Sequence, residues 1–433
     1  MGAGDTMARV LIAAVPFFGH VRPMRLIAAD LVARGHAVTF LTGAAFRAAV
    51  EGTGARFVPL PAEADVRPDR FPDRRRIPTG PARLEYDNQH LFVAPMAAQH
   101  AALQALLAED AAPAVLLHDT MFLGAWPVRH GAAGVRPAAV VGIGVMPLPM
   151  NSADHPPFGS GLVPDDSEEG RARSRVLTEK AEAAERAGSH RLLTRAFERL
   201  GAAEPPPLLS QGLVGVPDLF LQLSIESLEY PRGDAPSHLR YIGALPPERG
   251  EARALPVWWD DVTRANRVIL VSQGTIANDD LGRLIEPTLR ALADLDAVIV
   301  VATGRDAVPA TLPANARVAE FIPFDTVLPH VDVLVSNGGY GGVQQALRHG
   351  VPLVLAGDTE DKIEVCAKVS WAGAAVSLGT GDPDEADIRK AVDSVLDDPL
   401  CRDRARELRA EYEAHDPRVA IADAVDGLAV RRG

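Results

Sequence analysis

The chain is predicted to be an α/β protein with two parallel-sheet domains of the same kind in tandem. Three observations carry this expectation. Apolar strand-like runs alternate with helix-like stretches in both halves, the rhythm restarts after position 265, and a segment rich in proline, glycine and charge separates the two. With 433 residues the chain is long for one core and fits two domains of ordinary size.

In the first half the apolar runs are Val10 to Val15, Ala37 to Leu41, Val115 to Leu117 and Ala138 to Ile143, with a helix ending near Arg34 between the first two. This is the βαβ rhythm of a sheet covered by helices on both faces. Residues 151 to 215 are less regular and include a charged helical stretch, Arg171 to Leu200, whose charges suit a solvated face. Val268 to Val271, Ala297 to Val301, Val331 to Val335 and Leu353 to Leu355 supply the second sheet. The expected division is an N-terminal domain over 7–229, a linker over 230–256, a C-terminal domain over 257–412, and a tail over 413–433 that can return to the N-terminal domain.

Composition excludes several classes. A net charge of −13 argues against nucleic acid or an anionic membrane as partner, because both require a basic face. Cys366 and Cys401 are the only cysteines, so no disulfide framework is expected and a reducing cytoplasm is the natural compartment. The longest apolar stretch, Ala138 to Met150, is too short to span a bilayer, and no signal peptide is expected at the N-terminus.

The most informative segment runs from Ser336 to Pro352 and continues through Leu353 to Lys362. A short apolar run ends where Gly338, Gly339, Gly341 and Gly342 crowd together, and helix formers follow until Gly350 and Pro352 stop them. The glycines therefore sit at a helix N-terminus, where free N–H groups and the positive dipole end favour an anion. The next strand delivers Asp358, Glu360, Asp361 and Lys362 to the same carboxyl edge, where ligands bind in open α/β sheets and carboxylates suit sugar hydroxyls. The alternative is a glycine turn that only permits tight helix-strand packing. A second small-residue turn, Ser272-Gln273-Gly274-Thr275, can offer N–H and hydroxyl groups to phosphate. Phe321-Ile322-Pro323-Phe324 lies between strands and can supply a surface for a base or pack in the core.

In the first half, Pro16 to Pro23 follows the first strand and presents His20 at its carboxyl end, with Pro23 expected in the first turn of the next helix. A histidine there can act as a general base when a carboxylate orients its ring, and Asp119 is the best-placed partner. Position alone leaves open that His20 is structural or binds phosphate, and that Asp119 caps the helix beginning near Met121. The first turn has a single glycine, Gly19, and the second strand ends in Thr42-Gly43, so the dinucleotide fingerprint is missing; no Gly-Lys-Ser/Thr P-loop occurs either. No metal-ligand cluster is visible in the sequence.

On Gly19-His20 with Pro23, Ser272 to Thr275, Phe321 to Pro323, and Asn337 through Pro352 to Asp361-Lys362, the chain resembles the UDP-glycosyltransferase superfamily, the GT-B enzymes of family 1, and especially bacterial antibiotic and macrolide glycosyltransferases. The likeness runs from about Arg9 to about Tyr412. It implies two Rossmann-like domains facing each other across a cleft, the first binding an acceptor and the second a nucleotide sugar. It implies inverting, metal-independent transfer with His20 as base and Asp119 behind it, using a UDP- or dTDP-sugar as co-substrate and no cofactor. The donor residues it implies are Gln273, Gly274, Thr275, Phe321, Ile322, Asn337, Gly338, Gly339, Tyr340, Gly341, Gly342, Gln345, Asp361 and Lys362. The acceptor walls expected are Phe17, Phe18, Tyr86, His90, Phe92, Met121 and Phe122 around a small hydrophobic natural product. The chain departs from the family pattern in several places: Asn337 stands for the usual His, Tyr340 for the Trp of plant relatives, Gly341 and Gly342 for Asn and Ser, Gln345 for Glu, and Lys362 for Gln. An amide donor at Asn337 would then replace imidazole on the diphosphate. Two alternatives share the fold, a sugar-nucleotide epimerase and a non-catalytic nucleotide-sugar binder in which His20 is structural. Monomer and homodimer are both open.

Overall fold

The structure, a computed structural model, describes residues 7–247, 255–274 and 280–430. Strands Arg9–Ala13 (β1), Ala37–Thr42 (β2), Arg56–Pro59 (β3), Ala114–Asp119 (β4), Ala139–Gly144 (β5), Leu219–Gln222 (β6) and Leu239–Tyr241 (β7) form a parallel sheet in the order β3-β2-β1-β4-β5-β6-β7. Val268–Ser272 (β8), Val298–Ala302 (β9), Ala316–Ala319 (β10), Val333–Ser336 (β11), Leu353–Leu355 (β12) and Ala375–Ser377 (β13) form a second parallel sheet, ordered β10-β9-β8-β11-β12-β13. The central strands are continuous apolar runs because helices bury both faces: every residue of β4, β5 and β8 is buried.

One expectation changes here. The segment 230–256, read as linker, contains β7, which pairs with β6 as the edge of the first sheet. Three residues flanked by Pro and Gly have no periodicity to reveal a strand, and an edge strand needs little apolar content.

Helix Phe18–Ala33 (α1) follows β1 and packs Met24, Ile27 and Leu31 into the N-terminal core. Pro81 to Ala108 is helical over 28 residues and passes the length and hydropathy test for a membrane span, yet half of its apolar window is buried. Met96, Leu103, Leu106 and Leu107 of its last part, Met96–Ala108 (α2), fill the core beside β1 and β4, which accounts for the apolar composition. A π-turn at Asn88–Val93 interrupts that segment. The charged stretch forms two helices, Glu168–Ala187 (α3) and Ser189–Arg199 (α4), divided at Gly188.

In the second domain Tyr340–Arg348 (α5) follows β11, Lys362–Trp371 (α6) follows β12, and Pro399–Glu413 (α7) closes the domain. The last helix, Pro417–Val430 (α8), crosses to the first domain, where Ile421, Ala422 and Val425 pack with β1, β4 and α1. The two sheets turn their carboxyl edges toward each other. Gln222 at the end of β6 donates through Nε2 to the Tyr340 hydroxyl at the start of α5, 3.2 Å away. On the α6 side, Gly159 and Gly161 N–H groups donate to Glu364 at 2.7 and 2.9 Å, and Lys368 pairs with Glu229. Those three charged side chains are buried, so the seam is a fixed attachment with each charge satisfied.

Candidate active site

The site starts from strand order. β1 and β4 are neighbours, with Ala13 paired to His118, so the loops after them leave the same edge side by side. Phe17, in extended conformation, turns the chain from β1 into α1 and sets His20 in the helix's first turn. Pro23 lies in the second turn, not the first as expected, because the helix begins at Phe18. Lacking an N–H, it leaves the Gly19 carbonyl without its usual helical donor.

His20 Nδ1 lies 2.7 Å from Oδ1 of Asp119. Asp119 is fully buried, its Oδ2 accepts the Val15 N–H at 2.7 Å, and its Oδ1 also accepts the Met121 N–H at 2.8 Å. A carboxylate held by two backbone donors has one orientation left to offer the imidazole. Asp119 thus caps the turn at Met121 and also holds His20. Nδ1 is occupied as the donor to Asp119, which leaves Nε2 as the basic atom. Phe17 and Phe92 frame the ring, with centroids 6.0 and 6.5 Å from it.

Opposite lies the loop between β12 and α6. The Asp361 carboxyl is raised above its ordinary range by burial foremost and also by Glu360, while Lys362 and, across the cleft, His20 pull it down. His20 and this acidic loop are therefore within each other's field. Lys362 Nζ is 2.5 Å from Glu360 and 3.2 Å from the Thr359 hydroxyl, so its charge is held inside the loop.

The two glycine turns meet behind this loop. Gly274 after β8 and Gly338 after β11 both have positive φ, 75° and 80°, a conformation side chains rarely adopt. Asn337 bridges them by donating its Nδ2 to the Gln273 carbonyl. Part of its amide is thereby engaged by the protein, while its buried Oδ1 has no hydrogen-bond partner among the described residues. A Cβ on Gly274 would stand 3.5 Å from that oxygen, in van der Waals contact with it. α5 begins at Tyr340 with no side-chain cap from Gly339, which leaves the first N–H groups for an anion. Around Gly341 nothing lies within 4 Å of a virtual Cβ, and around Gly342 the nearest contact is Phe324 at 3.7 Å. Gln345 is half-buried in the next turn. Thr275 lies outside the described residues.

Several expected positions are occupied differently. Ile322 is 1% exposed and belongs to the C-terminal core, whereas its neighbour Phe321 is 50% exposed. Phe122 and Met121 are buried in the N-terminal core, because the turn after β4 folds back onto α2. The Tyr340 hydroxyl accepts from Gln222 Nε2 across the seam. Tyr86 and His90 stack at 4.0 Å in the π-turn region, with Phe71 against His90 at 5.9 Å, and Phe18 is half exposed. Arg74 and Gly357 were not singled out in the sequence. Arg74 reaches Glu360 from 286 positions away, and no local pattern records such a contact.

Residues 286–426 match the family described as erythromycin biosynthesis protein CIII-like, C-terminal domain. Over 99% of its length the chain is 46% identical to UDP-glycosyltransferase 2 of Phaeomoniella chlamydospora, covering 97% of that protein. The chain belongs to the UDP-glycosyltransferase family. It is 40% identical to the 4'-demethylrebeccamycin synthase of Lentzea aerocolonigenes over 97% of this chain and 99% of that one. The crystal structure of the glycotransferase of kitacinnamycin superposes with a TM-score of 0.72 at 24% identity, covering 98% of this chain and 99% of that one. The two facing parallel-sheet domains are the GT-B fold. This protein is accordingly a glycosyltransferase of the UDP-glycosyltransferase and macrolide type, which sets aside the epimerase and non-catalytic alternatives.

Proposed function

We propose that this glycosyltransferase is an inverting enzyme, with His20 as general base, that moves a sugar from a UDP- or dTDP-sugar to a small hydrophobic natural product. The observation that carries this reading is the 2.7 Å contact of His20 with the buried Asp119, which leaves Nε2 to take a proton. In the reaction the acceptor O–H or N–H gives its proton to Nε2, and the freed electron pair attacks the anomeric carbon from the face opposite the diphosphate. The bond from carbon to the diphosphate oxygen breaks with its electrons going to that oxygen. Asp119 stabilises the imidazolium, as an orienting carboxylate does in other base-assisted sites. The glycine N–H groups at the start of α5 meet the charge on the leaving diphosphate, so no metal is required in this reading. Phe321 offers an exposed ring to the base, and Asp361 faces the sugar between donor and His20. Phe17, Phe92 and the Tyr86–His90 stack suit an apolar acceptor. Two buried free cysteines agree with a cytoplasmic setting.

The test is incubation in EDTA with UDP-glucose or dTDP-sugars and a panel of aromatic polyketides, macrolides and ansamycins, following product mass and anomeric configuration. Acceptors that gain a hexose or deoxyhexose with inverted configuration support the reading. Retained configuration, or a requirement for added metal, refutes it.

A further inference from the structure

We propose that Arg74 and Glu360 are a positioning pair that joins the acceptor domain to the donor-sugar loop, so that a residue of the N-terminal domain sets donor affinity. This inference rests on the transferase reading of the cleft.

Arg74 belongs to the one-turn helix Pro72–Arg76 of the first domain. Its Nε and Nη2 donate to the two oxygens of Asp87 at 2.7 and 2.8 Å, a bidentate fork that fixes the guanidinium plane. From that fixed position Nη2 stands 3.5 Å from Oε1 of Glu360 in the second domain. The other carboxylate oxygen of Glu360 is 2.5 Å from Lys362 Nζ. Glu360 is thus held between a cation of each domain. Its burial raises its pKa, but Lys362, Thr359 and Arg74 together bring it down to about 2, so the carboxylate is charged at neutral pH.

The backbone supports the same conclusion. Among the described residues Glu360 is the only non-glycine with positive φ, at 49°. That conformation favours glycine or asparagine, so the two cation contacts compensate for a residue the backbone does not prefer. The residues that follow it are Asp361, in the field of His20, and Lys362, the first residue of α6. Fixing Glu360 therefore fixes the two side chains next to the sugar position. The surroundings are not a packed core: a cavity of about 30 Å³, lined by residues of both domains including Arg83, Asp87, Asp358 and Glu360, adjoins the pair. Space for about one water there means that changing the pair removes a link between domains without opening a hydrophobic interior.

The test uses the full chain carrying Arg74→Ala, Arg74→Lys, Glu360→Gln and the double variant Arg74→Ala/Glu360→Gln. Calorimetry gives the Kd of UDP-glucose and dTDP-glucose, and steady-state kinetics with the best acceptor of the panel separates donor KM from acceptor KM. Arg74→Ala and Glu360→Gln are each expected to weaken donor binding about fivefold, the size a partly exposed ion pair supports. Acceptor KM should stay within about twofold, the double variant should be no worse than the singles, and Arg74→Lys should recover part of the loss. Unchanged donor affinity, a change confined to acceptor KM, or multiplying effects in the double variant would each overturn the pairing. If Arg74→Ala does not fold, the lysine and glutamine variants carry the same comparison. Asp361→Ala separates the two levels of inference. Weakened donor binding in Asp361→Ala with none in Arg74→Ala defeats the pair alone, and no effect in either places the donor elsewhere and defeats both.

Discussion

Nδ1 of His20 and Oδ1 of Asp119 lie 2.7 Å apart although 99 positions separate them in the chain. Sheet order accounts for the meeting, because β1 and β4 are paired through Ala13 and His118 and the two residues leave adjacent strand ends. Asp119→Asn is expected to lower kcat by about 10² to 10⁴-fold, since an amide cannot stabilise the imidazolium and favours the wrong tautomer. It also replaces an acceptor by a donor opposite the Val15 or Met121 N–H, which should cost about 1 to 3 kcal/mol of stability. Rate measurements with thermal unfolding of the same variant check both parts; unchanged kcat would separate Asp119 from the chemistry.

Asn337 joins the turns after β8 and β11 through the Gln273 carbonyl. Asn337→Ala removes that bond. Weaker binding of UDP and dTDP is the expected outcome by calorimetry, by about fivefold to a hundredfold for a loss of about 1 to 3 kcal/mol. Unchanged affinity would mean that the diphosphate lies away from these turns.

Gly357 is the glycine of the loop between β12 and α6. A Cβ there would lie 2.2 Å from the Asn337 carbonyl oxygen and 2.9 Å from Lys362 Cβ. Gly357→Ala should destabilise the chain by about 1 to 3 kcal/mol, as overpacking does, and weaken donor binding at the same time. Thermal melting with and without UDP distinguishes this from a change that only loosens the fold.

Glu360 gives a pH dependence of known sign. Its folded-state value of about 2 lies below the ordinary 4.5, so its charge stabilises the folded chain above 4.5 and that contribution fades as pH falls toward 2. Wild type should therefore exceed Glu360→Gln in stability at neutral pH, with the gap closing over that acid window. Denaturant titrations of the two proteins at several pH values measure it, and a constant gap would show that the charge is not used.

The central strands and the two parallel-sheet halves were legible because continuous apolar runs are a strong local signal, and His20 and Asp119 could be matched as candidates because both follow strand ends. β7 was not legible, since three residues at a sheet edge carry no period. The burial of Ile322 and Phe122 was not legible for a related reason: sequence places them near strand ends but does not say which of two neighbours turns inward, and Phe321 is exposed where Ile322 is buried. Arg74 and Glu360 depend on how the domains face each other, which no segment of the chain encodes alone.

The most direct measurement is turnover and donor binding of His20→Ala with UDP-glucose or dTDP-glucose and an accepted natural product. The expected result is a fall in kcat of about 10² to 10⁴-fold with nucleotide-sugar affinity essentially kept, the mark of a lost general base. Near-normal turnover in that variant would contradict the mechanism.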